Sequence, residues 1–413
     1  MPSVNDRFSG IAPFEKKIYL SSPTMHGDEK KWVEEAFRTN WVSTVGENIN
    51  EIEKEIAAML GVSHAVALGT GTSSIHLALR LAGEKVYGKT SANVGILSGK
   101  HVFASDLTFA ATVNPAAYEG AEIVFIDSER DTWNLDPEAL SRAFRLFPDT
   151  RIVVLAHLYG TPAKMEQIRA ICDSRGAVIV EDAAEALGAK IKIGGEWKNC
   201  GALGEYNCIS FNGNKIITGS SGGMFLSDSE EDAAKVRKWS TQSREPFPWY
   251  QHEDLGFNYR MSNLIAGVVR GQLPHLREHI AQKRAIWERY EKGLRDLPVK
   301  MNPFDRERSE PNFWLSCLTI DKTAFSPDPG AKGKTDPAEL LSALARFNAE
   351  GRPIWKPMHL QPLYRGFDFI TASGAAETEV AGDLFARGLC LPSDNKMTPE
   401  EQDRVIEILH RCF

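Results

Sequence analysis

The chain has no apolar run near the roughly 20 residues that a membrane-spanning helix needs, so none is expected. It has no excess of positive charge: 48 lysines and arginines face 55 aspartates and glutamates, a formal net charge of −7. That balance gives no electrostatic footprint for nucleic acid, although one local basic pocket would still serve a small anion. Its six cysteines, at 172, 200, 208, 317, 390 and 412, form no CxxC pair and no metal-ligand spacing, so neither a disulfide framework nor a metal site is expected. The opening MPSVNDRFSGIAPF lacks the basic-then-apolar layout of a secretory leader. Internal repeats and low-complexity tracts are absent as well. These absences point to a cytoplasmic protein with reduced thiols.

What is present is globular. A chain of 413 residues, 42% hydrophobic, is too long for one ordinary core, and two packed domains are expected. Between about 28 and 270, helical periodicity alternates with short apolar runs. DEKKWVEEAFRT at 28–39, 50–60, 73–82, 109–119, 136–145 and 164–174 read as helices. HAVALG at 64–69 and the runs near 101, 122, 151, 177, 207 and 223 read as buried strands. Such alternation predicts a mostly parallel sheet covered on both faces, with ligand sites at the carboxyl ends of its strands. A charged helix over about 275–295 opens a segment of mixed signals. Thr398 and Glu401 have the spacing of a capping box. The domain boundary is placed near 255–275: a large α/β domain with an N-terminal arm over 1–260, and a smaller α+β domain over 261–413.

GEKVYGKT at 83–90 matches the phosphate-loop pattern G-x-x-x-x-G-K-[ST], but the mechanism needs a strand before it and a helix after it. Here a helix precedes it and SANVGILSGK follows, so a surface loop is expected. GTGTSS at 69–74 does sit between a strand and a helix. It lacks a third glycine for dinucleotide binding but makes a general phosphate cup, with N-capping by Thr72 or Ser73 as the plainer alternative.

Two further strand ends carry chemistry. Asp182, in Val180-Glu181-Asp182-Ala183-Ala184-Glu185, follows a buried strand and needs a positive partner, either a protonated ring nitrogen or a structural cation. Lys215, in Ser210-Phe211-Asn212-Gly213-Asn214-Lys215, is the one charged residue between Cys208 and Ser227. Such a setting favours the neutral amine that forms imines. A phosphate cup, an acid for a ring nitrogen and a lysine nucleophile, in this order on a parallel sheet, resemble the fold-type I enzymes of pyridoxal 5'-phosphate (PLP), the aspartate aminotransferase architecture.

The resemblance narrows to the DegT/DnrJ/EryC1/StrS family of nucleotide-sugar aminotransferases. It runs from about residue 18 to the end, through IYLSSPTMHGDEKKWVEEAFRTNWVSTVG, GTGTSSIHLAL, DLTFAATVNPAAYEGAEIVFID, HLYGTPAKM, VEDAAEALGA, SFNGNKIITGSSGGM, GFNYRMSNLIAGV and LCLPSDNKMTPEEQDRVIEIL. The resemblance implies that Lys215 holds PLP as an imine and shuttles a proton, that Asp182 pairs with the ring nitrogen, and that Phe109 stacks on the ring. It implies that Gly71, Thr72 and Ser210, beside Ser73, bind the phosphate. Asn258 is implied to reach the phosphate of a neighbouring subunit, hence a homodimer with shared sites.

Glu185 departs from the glutamine common in the family, in a position that the resemblance implies meets the ring hydroxyl; a carboxylate there needs a proton, or a ring hydroxyl that keeps its own, to avoid repulsion from an ionised ring oxygen. Residues 84–100 form a longer loop than usual. The stretches SFNGNKIITGSSGGM and RPIWKPMHLQPLY (352–364) resemble the bacillosamine-type branch. They imply a UDP-linked 4-keto-6-deoxy-N-acetylhexosamine as acceptor and L-glutamate as donor, with Arg260, Trp355, Lys356 and His359 as candidate substrate contacts. A structural role is the alternative for each. His76 is read as a core or helix-face histidine, and His157 as either site-lining or packed. A sister reaction, 3-keto amination or dehydration, and a non-catalytic PLP-binding regulator are the competing functions. The dehydratases carry histidine in place of the lysine, so Lys215 favours transamination.

Overall fold

Short apolar runs become strands wherever glycine, asparagine or a capping residue stops them. The computed structural model describes residues 7–328, 331 and 333–413. Its strands are β1 (His64–Leu68), β2 (His101–Ser105), β3 (Glu122–Ile126), β4 (Ile152–Ala156), β5 (Val178–Asp182), β6 (Lys190–Ile193), β7 (Glu196–Asn199), β8 (Tyr206–Ser210), β9 (Gly223–Ser227), β10 (Val299–Met301), β11 (Ser309–Glu310), β12 (Cys317–Ile320), β13 (Arg352–Pro353), β14 (Asp368–Ile370) and β15 (Gly388–Cys390). Eight of them form one sheet in the order β1-β9-β8-β5-β4-β2-β3-β14. All pairs from β8 to β14 are parallel, and β9 runs antiparallel to both neighbours, β8 and β1. The carboxyl ends of β1, β2, β4, β5 and β8 therefore open on one edge.

Both faces of the sheet are covered, as near-continuous apolar strands require. Ala65, Ala67, Phe103 and Val153 pack into one core, and Val66, Leu68, Ala104 and Val154 into the other. The helices begin at polar caps: Thr70 accepts from the Ser73 amide at 3.0 Å, Asp136 caps Pro137–Leu146, and Thr398 and Glu401 complete a capping box. A four-stranded sheet, β10-β12-β15-β13, organises the C-terminal part.

The division at residue 260 is crossed twice. Helix Asn263–Gln272 packs on Asp28–Arg38 and Glu47–Leu60, where a Cβ on Gly271 would meet the Glu29 amide at 2.5 Å. Later, β14 returns to the large sheet beside β3. The phosphate-loop match at 83–90 is excluded by geometry, because helix Gly71–Tyr87 runs through its first five residues.

The expected 84–100 loop is shorter, because the helix takes its first four residues, and the part that follows, 88–100, is pinned by Glu119. The carboxylate accepts from the Ile96 amide (2.9 Å), His76 Nε2 (3.0 Å) and Arg80 (2.9 Å), which makes His76 a packed, hydrogen-bonded histidine. Burial pushes the Glu119 carboxyl up, but the His76, Ile96 and Arg80 contacts outweigh it and hold the group at about 2. A lowered carboxyl contributes stability that is present above its unfolded value and lost as pH falls through the folded one. At about 1.4 kcal/mol per unit, Glu119→Gln is expected to cost about 3 kcal/mol near neutrality. In urea titrations the gap from wild type should narrow between about pH 7 and about pH 3.5; a constant gap would show that charge is not its source.

Candidate active site

The open edge of the large sheet holds a cavity of about 380 Å³, and its lining is drawn from the ends of these strands. Gly71 and Thr72 enter at the start of helix Gly71–Tyr87, where amides have no intrahelical partner. Ser210 enters from β8, and Ser221 and Gly222 from the turn before β9. This corner is closed to side chains. A Cβ on Gly71 would lie 2.8 Å from the Ser210 Cβ, and one on Gly223 would lie 2.4 Å from the Gly71 nitrogen. Gly223→Ala must therefore push the cup open. We expect PLP affinity to fall at least about tenfold, by fluorescence titration, with the circular dichroism of the folded chain unchanged. Ser73 corrects the expectation of a phosphate contact: it is buried outside the lining, and its hydroxyl donates to the Thr70 carbonyl at 3.1 Å.

Asp182 ends β5 inside the cavity. Its Oδ2 accepts from Thr112 Oγ1 at 2.6 Å and its Oδ1 from the Ala184 amide at 3.0 Å, which fixes the carboxyl plane. Burial pushes this carboxyl up, against those two hydrogen bonds and the nearby Lys215 charge. Glu185 is also raised by burial, opposed by Lys215 and by the Tyr159 amide, which donates to Oε2 at 2.7 Å. A raised Glu185 is the direction in which the group keeps a proton.

Lys215 lies in the loop between β8 and β9. Its Nζ is 3.6 Å from Glu185 Oε1 and 4.1 Å from the centre of the Trp314 ring. The stretch around it is uncharged in sequence, yet the fold delivers the Glu185 and Asp182 carboxyls to it. Phe109 and Trp355 form one wall, ring centres 6.2 Å apart, with Phe109 still 58% exposed. Lys215 is the one cation in the lining among the described residues.

Four other expected site residues are not brought to this cavity. Arg260 is buried beneath it, donating to Glu53 at 3.0 Å and to the Ala67 carbonyl at 2.9 Å, a structural ion pair. His359 hydrogen-bonds Asp106 at 2.7 Å, lies 3.1 Å from Glu379 and stacks on Phe369. Burial opposes its charge, but those two carboxylates raise it to about 9, so it is a charged structural histidine. Lys356 is exposed, and so is Asn258.

His157 is packed rather than site-lining. Its Nδ1 accepts from the Ala163 amide (3.0 Å), so Nε2 carries the proton donated to Glu181 (2.8 Å). Glu181 is satisfied in turn by the Gly201 and Leu203 amides. Sequence reasoning passed over Thr112, Trp314, Asn212, Asn214 and Ser221. Thr112 sits in the TFAAT motif and was within reach. Trp314 enters from a distant loop, turned in at Phe313 (φ 55°).

The residues present fit PLP. A glycine-walled cup with free amides suits a phosphate, a buried carboxyl held only by a hydroxyl and an amide suits a pyridinium nitrogen, and one amine lines the same cavity. Residues 23–410 match the DegT/DnrJ/EryC1/StrS aminotransferase family. The chain belongs to this family. It is accordingly a PLP-dependent aminotransferase of fold type I. EpsN of Bacillus subtilis (strain 168), described as a candidate pyridoxal phosphate-dependent aminotransferase, is 42% identical over 403 residues, 96% of each chain. A GDP-perosamine synthase of Caulobacter vibrioides is 32% identical, covering 96% of this chain and 98% of its own. The crystal structure of DesI, solved in the presence of its TDP-sugar product, superposes with a TM-score of 0.82 at 26% identity, covering 98% of this chain and 95% of that one. Among the described residues of this family member, no helix is long and apolar enough to cross a membrane.

Proposed function

We propose that this aminotransferase moves the amino group of L-glutamate to the keto carbon of a nucleotide-linked sugar, releasing 2-oxoglutarate and the amino sugar, and that Lys215 is the amine that holds the cofactor. The observation that carries this is the convergence of Lys215, Asp182, Glu185 and the glycine-walled cup on one cavity. Bound PLP supplies an aldehyde that takes up amines and a ring that draws electrons from the carbon bearing them. The chain supplies the rest. Gly71, Thr72 and Ser210 bind the phosphate. Asp182, held in plane by Thr112 and Ala184, keeps a proton on the ring nitrogen. Glu185, raised by burial, would donate a hydrogen bond to the ring oxygen from its own proton. The Lys215 amine would be the base that takes up the proton leaving the substrate carbon and the acid that hands it on. Phe109, Trp314 and Trp355 exclude water.

The relatives named for a GDP-sugar and a TDP-sugar support a nucleotide-linked substrate. Within that class the 352–364 stretch favours a UDP-linked 4-keto-6-deoxy-N-acetylhexosamine, with Trp355 as its remaining contact in the cavity. The lining holds no cation besides Lys215, which supports a homodimer whose second subunit completes the anion contacts through Asn258. The test is the visible spectrum of the PLP-loaded protein with L-glutamate, followed by UDP-, GDP- and TDP-linked 4-keto and 3-keto sugars. Glutamate should remove the visible band and a 4-keto sugar should restore it. Restoration by a 3-keto sugar alone would overturn the acceptor assignment.

A further inference from the structure

Helix Leu276–Gly293 has no residue in the cavity, yet one face of it reaches both sides of Lys215. His279 and Lys283, four residues apart, project from the same face, and each is 2% exposed. His279 Nδ1 lies 2.7 Å from the carbonyl oxygen of Ile216, the residue after Lys215. A carbonyl only accepts, so Nδ1 carries the proton and Nε2 is an acceptor. His26, on the N-terminal arm, fills that acceptor with its own Nε2–H at 2.8 Å.

On the other side, Lys283 Nζ donates to the Ser393 carbonyl at 2.6 Å and to Ser21 Oγ at 3.2 Å. Ser21 Oγ donates in turn to the carbonyl of Asn214, the residue before Lys215, at 3.0 Å. Trp314 Nε1 donates to the same oxygen at 2.7 Å. Burial pushes the Lys283 amine down to about 7, a cost that an apolar side chain at this position would not incur. The segment 211–222 has no regular secondary structure of its own to hold it.

We propose that His279 and Lys283 are positioning residues for the reaction, one helical turn apart, which fix the two peptide carbonyls flanking Lys215, with Ser21 and His26 of the N-terminal arm completing both contacts. The inference rests on Lys215 being the amine that holds PLP. Its logic is geometric: an amine on a four-carbon stem reaches a fixed point only if its own backbone is fixed, and a displacement near 1 Å costs roughly a hundredfold in rate. The arm is thereby part of the active site's support, although it never touches the cavity.

The test uses the full-length, cofactor-free protein. The rate at which added PLP is captured, followed at its visible band, and the visible circular dichroism of the bound cofactor both report the placement of Lys215, separately from turnover. Ser21→Ala and His279→Leu are expected to slow capture by between about tenfold and a hundredfold and to diminish the visible dichroism. Ser21→Thr, which keeps the hydroxyl, and His279→Asn, whose amide can reach the Ile216 carbonyl, are expected to restore both. Thermal melts accompany each variant, and Ser21→Ala, the smallest change, decides the matter if a histidine variant fails to fold. Wild-type capture and dichroism in folded Ser21→Ala and His279→Leu would overturn the clamp. Lys215→Ala runs alongside: if it alone loses the band, only the clamp fails, and if it keeps the band, the reading of Lys215 itself fails.

Discussion

Lys215→Ala is expected to lower turnover by about 10⁴ or more, because in the proposed mechanism one side chain both holds the cofactor and moves the proton. The loss should be chemical and not structural. The Lys215 amide donates to the Asn212 carbonyl, and the neighbouring carbonyls are held by Ser21, Trp314 and His279; none of these contacts uses the lysine side chain. What the side chain does touch, Glu185 and the Trp314 ring, tolerates its loss, since Glu185 is already raised by burial and takes a proton. We therefore expect a melting temperature within a few degrees of wild type. Turnover within tenfold of wild type would assign the proton shuttle elsewhere.

Asp182→Asn is expected to have the next largest effect, about 10² to 10³ on turnover, through lost electrostatic support for the protonated ring nitrogen. Its signature is a stability change of opposite sense. Burial raises this carboxyl in the folded chain. A raised carboxyl contributes stability that is present below its unfolded value and lost as pH rises through the folded one, so towards alkaline pH this buried carboxyl is a burden on the cofactor-free fold. The cofactor-free asparagine variant should thus melt no lower than wild type near pH 8 while binding PLP more weakly. Equal loss of stability with and without PLP would make Asp182 a structural residue. Melting curves of both forms at two pH values separate the cases.

The parts of this site that were legible in sequence are those where chemistry and local structure share a few residues. Asp182 and Ser210 end the five-residue strands β5 and β8, so motif and strand end were read together, whereas the cap of the helix that carries the cup is Thr70 and not the expected Thr72 or Ser73. Glu185 was legible as a departure from the family's glutamine, and burial raises its carboxyl. The parts that were not legible depend on partners far away in the chain. Nothing in the FNYRM motif shows that Glu53 waits beneath Arg260, and nothing in RPIWKPMHLQPLY shows that Asp106 and Glu379 claim His359. Arg260 and His359 were read as substrate contacts, whereas the fold pairs both with carboxylates. β14 is only three residues long and joins the sheet more than 240 positions after β3, which apolar patterning cannot reveal. Trp314 is hidden for the same reason, because it reaches Lys215 by tertiary packing alone.

The most direct test of the account is to load the protein with PLP, fix the cofactor with borohydride to the amine that holds it, and map the modified peptide by mass spectrometry. The account predicts one modified residue, Lys215, in the peptide that follows Phe211-Asn212-Gly213-Asn214. Modification of a different lysine, or none at all in protein that shows the visible band, would contradict it.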